Sequence, residues 1–118
     1  MPNTSSTILE LTPDELQMIR SALGEVCYGF SVLDFERRLR GPQQLVRDLF
    51  ERFDRHLEQM DARVRVSMHE LDIVTNAVRE TLDELGPEEL STRTGVSFDL
   101  GKEVLAKLVR QRKEVRPS

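Results

Sequence analysis

Shifted by 55 positions, the chain overlays itself without a gap: Glu15 falls on Glu70, Leu16 on Leu71, Ala22 on Ala77 and Glu25 on Glu80. Further along, Arg38 meets Arg93, Leu45 meets Leu100 and Arg55 meets Arg110. An internal repeat narrows the available folds more than any other feature here. Each copy becomes one supersecondary unit that must bury its apolar face against its neighbour.

The physical pattern repeats with the identities. Each copy opens on a short alternating run, Leu9-Glu10-Leu11 and Val64-Arg65-Val66, which predicts a strand with one buried face. A capping box follows each run, Thr12 with Glu15 and Ser67 with Glu70, and Pro13 sits where a first helical residue needs no N–H. Apolar stripes then recur at three- and four-residue steps. Leu16, Ile19, Leu23, Val26 and Phe30 form one, and Leu71, Val74, Val78, Leu82 and Leu85 the other. Gly29 and Gly86 lie where those helices should stop. Polar turn segments follow, anchored by Phe35 and by Leu90 and closed by Gly41 and Gly95. A last helix completes each copy, the first running from Gln43 to about Met60.

Strands this short are unstable alone, so the two are expected to pair antiparallel near a pseudo-twofold axis. The predicted fold class is mainly α with a minor two-stranded β element, a tandem duplication of a strand-helix-turn-helix unit. No Pro-, Gly- or Ser-rich linker separates the copies, so residues 1–118 are read as a single domain of two repeats, 8–62 and 63–112. Disordered tails are expected at both ends.

With 38% hydrophobic and 32% charged residues, the chain is too apolar for disorder and too polar for a bilayer. It has no run of about 18 apolar residues, and its first residues lack the basic flank and apolar stretch of a signal peptide. The one cysteine, Cys27, cannot staple the fold, which points to the cytoplasm. A net charge of −4 argues against general binding to nucleic acid. The charge is uneven, however: Arg37, Arg38 and Arg40 cluster, and so do Arg110, Arg112, Lys113 and Arg116.

No catalytic or metal-ligating constellation emerges. His56 and His69 are far from Cys27 in sequence, and Cys27 shares the apolar side of its helix with Leu23 and Val26, as a small buried filler would. The pairs Asp83-Glu84 and Glu88-Glu89 flank the Gly86-Pro87 turn and read as solvated acids. No cofactor is expected, and the chain is read as not an enzyme. Candidate partner contacts are Arg37, Arg38, Arg40 and Arg93, because arginine presents a rigid planar fork to carboxylates. Arg38 and Arg93 recur at the same place in both copies. They are therefore also candidates for internal clamps on helix-end carbonyls or on a capping carboxylate.

Residues Leu90-Ser91-Thr92-Arg93-Thr94-Gly95-Val96-Ser97 resemble the turn of a helix-turn-helix, with a likeness that extends over 90–105. The resemblance implies a glycine at the sharp turn, a serine capping the second helix and that helix facing a DNA groove. Thr94 and Gly101 depart from the pattern, and in the first copy Arg40 replaces the turn glycine. Ala22-Leu23-Gly24-Glu25-Val26-Cys27 and Ser91 to Gly95 also resemble recurrent motifs of small uncharacterised bacterial proteins, implying a bacterial origin. The function expected is a non-enzymatic protein-interaction or regulatory module of a bacterial cytoplasm. The alternatives are a DNA-binding transcription regulator and an immunity-type inhibitor of a toxin. Another protein is the expected partner, nucleic acid the alternative, with no membrane. A homodimer is expected from the wide apolar arc Leu45, Val46, Leu49, Phe50, Phe53 and Leu57.

Overall fold

A computed structural model describes residues 5–114 of the chain, so most of the expected tails, Arg116 included, lies outside the described residues. Strand β1, Ser6–Glu10, pairs antiparallel with β2, Arg63–Ser67, and Leu9 stands opposite Val64. Leu11 N–H adds a bond to the Ala62 carbonyl at 2.9 Å and Met68 N–H one to Ser5 at 3.1 Å. The strands lie slightly earlier than the alternation predicted, and Ser6 and Thr7, expected in a tail, belong to β1. Leu9, Leu11, Val64 and Val66 are buried, while Glu10, Arg63 and Arg65 are exposed, as period-two alternation requires.

Both capping boxes form. Thr12 accepts from Glu15 N–H at 3.1 Å and donates its own N–H to the Glu15 carboxylate at 2.8 Å. Ser67 and Glu70 make the same exchange at 3.0 and 2.9 Å. From these caps run α1, Pro13–Gly24, and α4, Met68–Glu84. A π-helical turn, Glu25–Gly29, continues α1, so the first helical run ends at Gly29, as expected. Gly86 instead starts the next helix, since α4 stops before it.

The segments expected to be polar turns are short helices: α2, Phe35–Leu39, and α5, Pro87–Thr94. Each ends in a left-handed residue, Arg40 at φ 66° and Gly95 at φ 74°. The first-copy turn is thus made at Arg40 and not at Gly41. The closing helices are α3, Gln43–Glu58, and α6, Phe98–Glu114.

Helix α1 packs on α3, α4 packs on α6, and α1 and α4 meet in the middle beneath the strands. Leu16, Ile19 and Leu23 meet Leu71, Val74 and Val78 in one core that also holds Leu9, Val64, Phe53 and Leu108. Fully burying each of the large side chains contributes about 1.5–3 kcal/mol, against about 0–1 kcal/mol for an exposed ion pair. The core therefore sets the stability and the ion pairs set the register.

The apolar arc of α3 is partly absorbed within the chain: Val46, Leu49 and Phe53 are buried, while Leu45, Phe50 and Leu57 stay partly exposed. Val46 is fully buried. Phe50 is half-buried under the edge of Tyr28, with ring centroids 5.9 Å apart, and under the Arg20 guanidinium at 5.5 Å. Gly24 permits that approach, because a Cβ there would lie 2.8 Å from the Phe50 ring. The patch from which a homodimer was expected is thus partly covered by the chain's own residues and partly open.

Candidate functional site: a basic groove between α4 and α6

The four candidate arginines separate into two kinds. Arg93 is a clamp. Its guanidinium lies 2.6 Å from the Glu25 carboxylate, donates to the Gly29 carbonyl at 3.0 Å and meets Glu89 at 3.3 Å. Glu25 Oε1 takes this as a charge contact, with no aligned hydrogen bond to it. Arg38 meets Glu80 at 3.1 Å. Both arginines make internal ionic contacts, but the partners are not the capping carboxylates. Those are held by other cations: Lys107 Nζ donates to Glu15 at 2.9 Å and to the Glu10 carbonyl at 2.6 Å, and Arg52 donates to Glu70 and to the Arg65 carbonyl. Burial alone would raise these two carboxyls. The Lys107 ammonium with the Thr12 amide, and the Ser67 amide with the Arg52 guanidinium, outweigh it and hold Glu15 and Glu70 below the usual range.

Arg37 is exposed and paired only with its neighbour Asp34 at 3.0 Å. Arg40 differs from the other three. The left-handed turn swings it away from α2, its carbonyl accepts from His69 Nε2, and its side chain has no ionic partner among the described residues. It lines a groove of about 310 Å³ with Asp72, Thr75, Asn76, Arg79, Val109, Arg112 and Lys113.

The groove follows from helix periodicity. Asp72, Thr75, Asn76 and Arg79 share one face of α4, and Val109, Arg112 and Lys113 share one face of the adjacent α6. Arg40 closes one end. Thr75 turns its hydroxyl back to the Leu71 carbonyl at 2.7 Å, so the floor carries no unsatisfied donor there. Arg112 meets the sole carboxylate, Asp72, at 2.8 Å. Arg79 donates to the Asn76 amide oxygen at 2.9 Å, a neutral partner that leaves its charge uncompensated. Arg40, Arg79 and Lys113 thus face one volume as three cations with no carboxylate paired to them among the described residues.

The positions 55 earlier or later carry none of this. Where α4 has Arg79, α1 has Gly24, covered by Phe50. Where the groove has Thr75 and Val109, the other side has Arg20 and Asp54, paired at 2.9 Å. Gln17 replaces Asp72 and donates to the Thr94 carbonyl at 2.8 Å, Gly95 replaces Arg40, and Leu57 and Glu58 stand for Arg112 and Lys113. One side is sealed by ring and ion pair, and the other is open and cationic.

Of the groove residues, sequence reasoning singled out only Arg40, although it noted the basic cluster of Arg112 and Lys113. Arg79 was missed because it sits alone in an otherwise acidic and apolar stretch. The signal that could have found it is the mismatch at the 55-residue offset, Gly24 against Arg79. Cys27 is half-buried, and burial pushes its thiol up despite the nearby Arg47. Among the described residues, no group of His, Cys, Asp and Glu is arranged to hold a metal ion, and no helix is long and apolar enough to cross a membrane. In comparisons with known proteins, the chain matches no family model, no curated protein and no solved structure.

Proposed function

We propose that this protein is a non-enzymatic interaction module, built by tandem duplication of a strand-helix-turn-helix unit, that docks an acidic segment of a partner protein in the groove between α4 and α6. The observation carrying the reading is the trio Arg40, Arg79 and Lys113, uncompensated in a chain of net charge −4. The other three candidate arginines, Arg37, Arg38 and Arg93, are tied to carboxylates of their own chain, so this groove offers the chemistry an acidic partner would need.

Duplication is supported by contacts that exchange between the halves. Arg52 holds Glu70 and Lys107 holds Glu15; Arg38 holds Glu80 and Arg93 holds Glu25. Each contact becomes its counterpart when every residue moves by 55 positions. Leu9 and Val64, themselves such a pair, face one another in the sheet, which is where a twofold axis would pass. A bacterial cytoplasm suits the single unpaired thiol.

The alternative, DNA binding, draws support from α5, the left-handed Gly95 and Ser97, whose hydroxyl accepts from Leu100 N–H at 3.1 Å. Yet α6 would present Asp99 and Glu103 near its start to phosphate. Titration of the protein with a glutamate-rich peptide and with a mixed duplex, read by fluorescence anisotropy at rising salt, tests both. The docking reading expects the peptide to bind and Arg79→Glu with Lys113→Glu to weaken it by at least about tenfold. Preferential binding of the duplex, or peptide binding unmoved by the reversals, sinks it.

A further inference from the structure

We infer that the groove is built for a phosphate monoester on the docked segment, a phosphorylated serine or threonine, and not for carboxylates alone; this rests on the docking reading above. Three uncompensated cations face one volume, two of them guanidinium forks. A single carboxylate would satisfy one and leave two in mutual repulsion. A phosphoryl group brings about −1.5 to −2 charges and three acceptor oxygens, and each guanidinium can meet two of those oxygens side by side.

The lining matches that demand in kind. Asn76 spends its amide oxygen on Arg79, which leaves its amide NH2 as a further donor toward the groove. Asp72, the group that would repel an anion, is neutralised by Arg112 at 2.8 Å. The volume, about 310 Å³, is roughly ten times the share of one water, at about 30 Å³, so it admits a side chain and not just bridging solvent. The site is also local to one half. At the equivalent place in the other half, Gly95, Gly24 and Glu58 stand for Arg40, Arg79 and Lys113, and Phe50 fills the space beside Gly24. Two halves that keep the same core and the same exchanged ion pairs differ here in charge, and a scaffold requirement would have acted on both.

Arg40 contributes a conformational feature as well. It holds the left-handed position that Gly95 takes in the other half, against the usual preference of a side-chain-bearing residue. Glycine would relieve the backbone there, and what arginine adds in exchange is a cation at the groove's end.

The test uses the full chain and one short peptide in three forms, with serine, glutamate or phosphoserine at its centre. Inorganic phosphate and a mixed duplex serve as further ligands, and binding is read by isothermal titration. The expected result is that the phosphoserine form binds at least about tenfold tighter than the glutamate form, one hydrogen bond to a charged group being worth that much. Arg79→Gln and Arg40→Gly should each erase the preference. Arg40→Gly cannot do so by unfolding the chain, because it relieves the turn. Lys113→Gln, on an exposed side chain, gives a third check with melting temperature unchanged. Equal binding of the glutamate and phosphoserine forms overturns the phosphate assignment while acidic docking stands. No binding of either by folded protein overturns both. Inorganic phosphate binding as tightly as the phosphopeptide, or the duplex binding more tightly, overturns the assignment to a modified protein segment.

Discussion

The Arg93 guanidinium reaches from α5 to the end of the first helical run and lies 2.6 Å from the Glu25 carboxylate. Its counterpart, Arg38, makes the exchanged contact with Glu80 at 3.1 Å. Each pair ties the turn segment of one half to the central helix of the other. They lock the mutual position of the halves, a job hydrophobic packing does poorly because it has no direction.

The two clamps should differ in strength. Arg93 adds the Gly29 carbonyl and has a side chain 34% exposed, against 52% for Arg38. Arg93→Ala should cost about 1.5 kcal/mol, the low end for hydrogen bonds to charged groups given partial solvent screening. Arg38→Ala should cost no more than about 1 kcal/mol, as a surface pair does. Urea unfolding of both variants checks the order. An Arg93→Ala chain as stable as the parent would show that the contact only decorates the surface.

The strands and both capping boxes were legible in the sequence, because each depends on residues close together, and the antiparallel pairing followed from strands too short to stand alone. Alternation places Leu9 and Val64, and the Thr12 and Ser67 hydroxyls need only an amide three residues on. The polar segments around Phe35 and Leu90 were read as turns and are helices. Phe35, the anchor expected in the first, is only half-buried and Leu39 is the buried one, while Leu90 is buried as expected. The groove was least legible. It joins Arg40, Arg79 and Lys113 from three helical segments, and no local pattern brings them together. What the sequence did hold was a departure from its 55-residue self-likeness there, Gly24 against Arg79 and Glu58 against Lys113.

Acid should loosen the two capping corners. Burial acts to raise Glu15 and Glu70, but Lys107, Arg52 and the capping amides win, so both carboxyls sit below their ordinary value in the folded chain. The unfolded chain therefore binds these protons first. The stability the two carboxylates contribute is complete above the usual carboxylate range, about pH 4–5, and is lost as pH falls through the lowered folded values. Urea midpoints measured from neutral pH downward should fall, and Arg52→Met with Lys107→Met should make that fall shallower. A double variant with an unchanged acid slope would remove these pairs as its cause.

Arg40 sits at φ 66° where Gly95 sits at φ 74°. Replacing Arg40 with glycine should stabilise the chain by about 0.5–1 kcal/mol, the left-handed penalty less the added freedom of the unfolded state. The converse, Gly95→Ala, should destabilise by about 1 kcal/mol. Space is not the reason, since a Cβ at Gly95 would come no nearer than 3.4 Å to the Gln17 amide. Thermal melts of the two variants should therefore move in opposite directions. Movement in the same direction would mean the two turns are not equivalent.

A circular permutant tests the duplication most directly. In the first half, Gln59–Ala62 carries the chain from the end of α3 into β2. The matching place in the second half is the end of α6, and it lies beside β1, where Gln111 donates to the Thr7 hydroxyl at 2.6 Å. A copy of Gln59–Ala62 should therefore join Lys113 to Ile8 with the same geometry. New ends can be opened between Met60 and Asp61, where both side chains are exposed and the contacts that cross the cut are local ones between Asp61 and His56. The rearranged chain keeps the Leu9–Val64 pairing, the exchanged ion pairs and the whole core, and it loses only the first seven residues and the last five. It should show the parent's helical circular dichroism and a single cooperative melt. If the two halves are related only by chance, the copied link has no reason to span the new gap, and the permutant should unfold gradually or not fold at all.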